Sequence, residues 1–216
     1  MTETHRHDAP TKNTEDFWED FYQEREQVWS GSPNILLVRE IDSVTPGSAL
    51  DLGCAEGADA IWLAERGWRV TATDVSRTAL ERAKVRAAEK NLDGAIDWQR
   101  HDFDESFPDG RFDLVSAQFL HSPVAHASER SAILSKAADA VAPGGLLLIV
   151  GHAGFPSWAP KQHDVHLPST AEVLTELRLD PEQWDVELEE VVERDFPSPD
   201  GEPGVRQDNV LRVRRR

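Results

Sequence analysis

The run Ala49-Leu50-Asp51-Leu52-Gly53-Cys54-Ala55-Glu56-Gly57 joins an apolar strand, a carboxylate near its end, and a loop of small residues that opens into a helical stretch. A strand that feeds a helix through so short a loop belongs in a parallel sheet, because a helical crossover is what lets the next strand start in the same direction. That next strand, Arg69-Val70-Thr71-Ala72-Thr73-Asp74, ends on a second acid twenty-three positions after Asp51. Parallel strands deliver both carboxylates to one rim of the sheet, where a ribose diol needs a bidentate acceptor. The pattern predicts a nucleotide-cofactor site.

The loop distinguishes between cofactors. A dinucleotide fold wants Gly-x-Gly-x-x-Gly, so that a diphosphate can rest on bare backbone N–H groups at a helix N-terminus. In that register the chain offers Gly53, Ala55 and Ala58, a poor match. Read instead as acid-x-Gly-x-Gly-x-Gly, it offers Asp51, Gly53, Ala55 and Gly57, with one departure at Ala55. This register resembles motif I of the class I S-adenosylmethionine-dependent methyltransferases, whose ligand carries a sulfonium and an ammonium and no phosphate, so that a strand-end carboxylate is favourable. An alanine tolerates the middle position if its φ is negative, as is ordinary for an L residue, and that is the expectation for Ala55.

The resemblance extends from about Ser48 to Gly151. His101-Asp102-Phe103 is similar to the family's adenine-binding element, Phe112 to Ala117 to its fourth strand, and Pro143-Gly144-Gly145 with Leu146 to Val150 to its turn into the fifth. Val28 to Asn34, with the residues after motif I, resembles the small bacterial members grouped with tellurite-resistance enzymes. The resemblance implies an α/β, Rossmann-like doubly wound sheet of seven strands in the order 3-2-1-4-5-7-6, with strand 7 antiparallel and helices on both faces. It also implies S-adenosylmethionine as cofactor. Asp51 is expected near the methionine amino group with Gly53, Ala55 and Gly57 around the tail; Asp74 at the ribose; Val75 on the adenine; Asp102 at the adenine amine; Phe103 beside the ring; and Gln118 on the cofactor side of the fourth strand's end.

Composition restricts the partners. The 216 residues suit one domain. Lys and Arg total 23 against 40 Asp and Glu, a formal charge of −17, which repels nucleic-acid backbones. The terminal Arg212-Val213-Arg214-Arg215-Arg216 is expected to be a strand with outward arginines. A single cysteine, Cys54, permits no internal disulfide, and no apolar run approaches the ~20 residues of a membrane span. A cytoplasmic monomer or homodimer, acting on a small molecule without nucleic acid, membrane or structural metal, is the expectation.

Along the chain, 1–13 lacks periodicity and is expected to be a disordered tail, leaving 14–216 as one domain. Phe17, Trp18, Phe21, Tyr22, Arg25 and Val28 recur at helical spacing, with Thr14 as N-cap; this helix and a second over 34–44 make 14–45 a helical lid. Helices are expected over 58–66, from Ser76 to about Asn91, from Ser128 to about Val141, and over 170–179, and strands over 185–196 and 206–214. Residues 152–168 form a variable acceptor-side loop in which Phe155 and Trp158 either cap an apolar acceptor or plug the cleft.

Methyl transfer from a sulfonium is an in-line displacement, and a general base is needed only when the nucleophile arrives protonated. His121, following the fourth strand, and His152, following the fifth, are the catalytic candidates, because an imidazole exchanges protons near neutral pH. His126, His163, Asp164 and His166 are read as loop residues rather than metal ligands. For an oxyanion acceptor, Arg25, Arg39 and Lys161 are the cations to inspect. Two other functions compete: an NAD(P)-dependent oxidoreductase, opposed by Ala55 and Ala58 and by the lack of a Tyr-x-x-x-Lys, and a non-catalytic S-adenosylmethionine-binding module.

Overall fold

A computed structural model describes residues 13–92, 94–125, 128–159 and 165–216; all but the last residue of the expected tail lies outside them. Seven strands form one sheet: β1 (Ser48–Leu52), β2 (Arg69–Asp74), β3 (Ile96–Arg100), β4 (Phe112–Gln118), β5 (Val141–His152), β6 (Trp184–Asp195) and β7 (Val205–Arg215). Their order is 3-2-1-4-5-7-6, with β7 antiparallel to both neighbours and every other pairing parallel. The expected topology is therefore the observed one.

Strand alternation splits the core between the two faces. Ala49, Leu114, Leu146, Leu148 and Val150 pack on one side with α2 (Ile35–Ile41), α3 (Ala58–Glu65) and α4 (Arg77–Glu89). Leu50, Leu52, Val115, Leu147 and Ile149 pack on the other with α5 (Glu129–Asp139) and α6 (Thr170–Leu177). Leu50, Leu114 and Leu147 are wholly inaccessible, as strands covered on both faces require. Asp51 shares a face with Ala49, so its carboxylate lies on the α3 side, where the motif loop begins.

Several expected boundaries move. Asn13, not Thr14, caps α1 (Thr14–Gln23): its side chain accepts from the Asp16 N–H at 2.7 Å. The helix stops at Gln23, so Arg25 and Val28 belong to the loop beyond it. Asn34 likewise caps a helix that ends at Ile41, short of Val44. α5 ends at Asp139, and Val141-Ala142-Pro143-Gly144-Gly145 already lies in β5 rather than in a helix-ending turn. Gly145 is needed there because a Cβ would come within 2.9 Å of the Ala142 and Phe112 carbonyl oxygens. Ser76 caps α4 as expected. The terminal arginines do not all point outward as expected: Arg212, its Nε buried, reaches the buried Glu40 of α2 at 2.8 Å and Glu187 at 3.1 Å, while Arg214 pairs with Glu187 and Arg216 with Asp185.

α1 is fastened to α4 by a carboxylate. Glu19 accepts from the Ser76 hydroxyl at 2.8 Å, the Thr78 hydroxyl at 2.7 Å and the Thr78 N–H at 3.2 Å, at the positive end of α4. Burial works to raise its pKa, but these hydrogen bonds outweigh burial and hold it down to about 2. A carboxyl depressed in the folded state adds stability above its unfolded pKa near 4.5 and loses it as pH falls toward 2. Glu19→Gln is expected to destabilise the protein by about 1–2 kcal/mol at pH 7. In urea titrations the gap between variant and wild type should close as pH drops from 4.5 toward 2.

Candidate active site

A cleft of about 730 Å³ opens at the carboxyl ends of β1, β2 and β4 and extends to the end of β5. The motif loop forms its floor by a backbone device that accounts for the spacing of its small residues. Gly53, Ala55 and Gly57 have φ of +71°, +51° and +82°, so every second residue is left-handed. The twist lets the Cys54 N–H donate to the Thr73 carbonyl at 2.8 Å and the Gly57 N–H to the Cys54 carbonyl at 2.8 Å. Gly57 also sits too close for a side chain, since a Cβ would be 2.7 Å from the Trp98 ring and 2.8 Å from the Ala83 methyl. Ala55 thus departs from the expected negative φ: the loop's hydrogen bonds, including donation from its own N–H to Asp74 at 2.9 Å, hold it in the left-handed region at a strain cost.

The half of the cleft beside β1 and β2 is a basin of acids withdrawn from water. Asp51 is 2% exposed, and its Oδ2 is buried with no hydrogen-bond partner among the described residues. Burial, then the charges of Asp59 and Asp74, push its pKa well above the ordinary carboxylate range. Asp74, also buried, accepts from the Ala55 and Ser76 N–H groups, both at 2.9 Å; burial outweighs those bonds and raises it to about 6. Asp59, on the first turn of α3, accepts from the Asn34 N–H at 2.6 Å and is likewise raised by burial to about 6. The sequence reading missed Asp59, because an acid in a first helical turn has an ordinary use beside the helix dipole.

Val75, Asp102 and Phe103 line the adjoining wall. Asp102 also closes a turn by accepting from the Asp104 N–H at 3.1 Å, so it is both turn acid and cleft acid. Gln118 accepts from the Asn34 side chain at 2.7 Å and donates to Ser116 at 3.0 Å, joining the start of α2 to the end of β4. Over the cleft, Glu56 is 1% exposed and gathers the Trp29 N–H at 3.2 Å, Arg82 at 3.0 Å and Arg86 at 3.6 Å. It fixes residues 28–29 as a strap above the loop, with Trp29 donating to the buried Tyr22 hydroxyl at 3.1 Å.

The far half differs in charge. His121 and His152 both line it, with ring centroids 5.5 Å apart. Partial withdrawal from water, then His152 and Arg130, lower the His121 pKa. His152 Nδ1 lies 2.9 Å from Asp208, its direct partner in the β5–β7 register. Burial works to raise Asp208, but His152, Arg194 and Arg206 outweigh it and hold the carboxyl below its usual range. An ionised carboxylate has no proton to give, so Nδ1 carries the hydrogen and Nε2 is left to accept one. Arg130, Arg194, Arg206 and Asp208 are additions that the sequence did not single out. Arg25 instead packs over Phe21 and Arg39 pairs with Glu40 and Glu190, away from the cleft; Lys161 is outside the described residues. Trp158 stacks behind Phe196, which lines the cleft, so the tryptophan backs the wall rather than capping an acceptor. His126, His163 and Asp164 also lie outside the described residues, while His166 pairs with Glu172 at 3.2 Å.

Comparison with known proteins agrees with this geometry. A family described as a methyltransferase domain matches residues 49–145. A 2-heptyl-1-hydroxyquinolin-4(1H)-one methyltransferase of Mycobacteroides abscessus is 31% identical over 178 residues, covering 76% of this chain and 77% of that protein. Among solved structures, the N-methyltransferase NodS of Bradyrhizobium japonicum WM9, in complex with S-adenosyl-L-homocysteine, superposes with a TM-score of 0.68 at 20% identity, over 94% of this chain and 99% of that one. TehB of Haemophilus influenzae superposes at 0.67 with 16% identity, over 92% and 67%; these two likenesses speak to the fold. The chain belongs to the class I S-adenosylmethionine-dependent methyltransferases.

Its residues fit that cofactor. An orphaned buried carboxylate oxygen among three acids suits a cation and repels a diphosphate, which disfavours the dinucleotide alternative. A cation entering the basin must lower the raised acid pKa values and release protons. Donor affinity is therefore expected to rise by roughly ten- to a hundredfold as pH increases from 5 to 7, about a factor of ten for each of the two acids near 6 that must ionise. Calorimetry in two buffers of unlike ionisation heat should record proton release near pH 6. Separately, Ala55→Gly is expected to stabilise the fold by up to about 1 kcal/mol in chemical denaturation, as relief of left-handed strain exceeds the entropy glycine adds to the unfolded chain.

Proposed function

We propose that this methyltransferase acts on a small-molecule acceptor seated between the motif loop and the ends of β4 and β5. The single observation that carries this reading is the second half of the cleft, continuous with the acid basin beside the motif loop. The small-molecule name of the Mycobacteroides relative supports it, as does a net charge of −17, unsuited to tracking a nucleic-acid backbone. We assign the domain as 14–216, with 14–45 as lid and 152–168 as the acceptor-side loop. A cytoplasmic location is supported by the lone, buried Cys54, and no helix among the described residues is long and apolar enough to cross a membrane.

S-adenosylmethionine, when bound, supplies the activated methyl group. The chain's own part is to hold and exclude. Asp51 and Asp59 take the ammonium end, with Gly53, Ala55 and Gly57 forming the floor. Asp74 takes the ribose; Val75, Asp102 and Phe103 take the adenine; Gln118 braces the lid from the fourth strand. The strap and aromatic wall keep water from the reacting atoms. His152, oriented by Asp208, accepts the acceptor's proton when there is one, and His121 touches the acceptor from the β4 side.

Turnover distinguishes this enzyme from a silent binding module. A screen of small phenols, thiols, amines and chalcogen oxyanions should yield S-adenosylhomocysteine with at least one class. Asp51→Asn is expected to weaken donor binding at least about tenfold. His152→Gln should lower kcat roughly a hundredfold for a protonated acceptor while leaving donor Kd unchanged. A fold that binds the donor and methylates nothing would favour the binding module.

A further inference from the structure

Opposite charge divides the cleft. Where the cofactor half is built of carboxylates, the acceptor half carries Arg130, Arg194 and Arg206. Arg194 is consumed by its ion pair with Asp208. Arg206 stacks 4.2 Å over the Phe196 ring and 5.6 Å from that of Phe119, with its Nε 3.3 Å from Asp208. Arg130, on the first turn of α5, donates from Nε to the Leu120 carbonyl at 3.2 Å, but its Nη1 is buried with no hydrogen-bond partner among the described residues. Its guanidinium lies against the end of β5, since a Cβ on Gly151 would be 3.7 Å from Nη2. The opposing acids nearby are Asp208, already taken by His152 and two arginines; Glu129, engaged in contacts of its own; and Glu176, which accepts from Ser131 at 2.7 Å.

The walls between these charges are flat and apolar. Phe119 stands at the junction with φ +51°, a strained conformation for a bulky residue, held by donation from its N–H to the Val150 carbonyl at 2.8 Å. Its ring lies 4.5 Å from the His152 ring. A planar molecule resting on Phe119 would bring a polar edge toward Arg130 and the two histidines.

We propose that the acceptor is a small aromatic molecule with an acidic hydroxyl, which gives its proton to His152 and is then held as the oxyanion against Arg130, and that Arg130 sets this preference. The proposal rests on the reading that this half of the cleft holds a small-molecule acceptor. An alkylamine arrives as an ammonium ion and is repelled by the guanidiniums, and an arylamine arrives neutral and brings them no charge, whereas an oxyanion completes the hydrogen bonding of Arg130. A carboxylate would satisfy the arginine equally but arrives without a proton at neutral pH and leaves the His152–Asp208 pair without a task; an acidic hydroxyl uses both. In the transfer, the hydroxyl proton passes to His152 Nε2 and then to solvent. The oxygen lone pair forms the new O–C bond as the S–C pair stays with sulfur. Sulfonium and oxyanion become two neutral groups, a loss of charge that a water-poor cleft favours.

The test uses the full chain saturated with S-adenosylhomocysteine and four matched probes: 4-nitrophenol, 4-nitroanisole, 4-nitroaniline and 4-nitrobenzoate. The expected result is that nitrophenol binds at least about tenfold more tightly than the anisole and the aniline, with the phenolate absorption of the bound probe visible at a pH where the free probe is partly protonated. Arg130→Met should bring that ratio near one with S-adenosylhomocysteine affinity intact, and Arg130→Lys should restore part of it. Equal binding of nitrophenol and nitroanisole, or selectivity that survives Arg130→Met, would overturn the proposal, and so would preference for nitrobenzoate over nitrophenol. Failure of all four probes to bind while S-adenosylhomocysteine does would instead bring down the small-molecule reading beneath it.

Discussion

Three carboxylates withdrawn from water at one rim of a parallel sheet are the constraint around which this molecule is arranged. Asp51, Asp59 and Asp74 repel one another in a medium too poor in water to screen them, and Asp51 Oδ2 receives no hydrogen bond from the described residues. Such a cluster persists only because the strands beneath it are locked in a core packed on both faces. In the proposed reading a cationic cofactor relieves that destabilisation, so the affinity of the site and the strain of the ligand-free fold are two views of one electrostatic term.

The loop serves the same end by a backbone route. Three left-handed residues in alternation turn the N–H groups of Cys54, Ala55 and Gly57 inward, toward Thr73, Asp74 and Cys54. Those bonds join the ends of β1 and β2 and keep the two acids at a fixed separation. They also explain why an alanine survives at the middle position: the local network exceeds the roughly 1–2 kcal/mol that its φ costs. Above the loop, Glu56 and Glu19 act as internal fasteners. One ties the strap to the α4 arginines, and the other ties α1 to the start of α4. Both acids are therefore structural in their immediate contacts and functional through what they hold still.

In the proposed reading, charge separation across one cleft orients donor and acceptor. The acid half stabilises a cation, and the half lined by arginine and histidine stabilises an anion, with the motif loop and Leu120 between them; a Cβ on Gly53 would touch Leu120 at 2.9 Å. A donor and an acceptor of opposite charge are thus each favoured on their own side and driven together across a short apolar gap.

Local pattern alone determined much of this. The strand-loop-helix at Asp51, the second acid at Asp74 and the cap at Ser76 are signalled by neighbouring residues, because apolar alternation, small-residue spacing and capping act over a few positions. Helix ends were less legible: Gln23 and Asp139 end helices where tertiary packing rather than any glycine or proline takes over. The acceptor half was the least legible. Histidines at 121 and 152 stood out by their chemistry, but nothing near Asp208, Arg206 or Arg130 in the chain marks them as their companions. His152 meets Asp208 only because β7 runs antiparallel to β5 in a register that sets those two residues opposite each other. A shift of one residue would turn that carboxylate to the other face, so the pairing belongs to the sheet and not to the sequence around either residue.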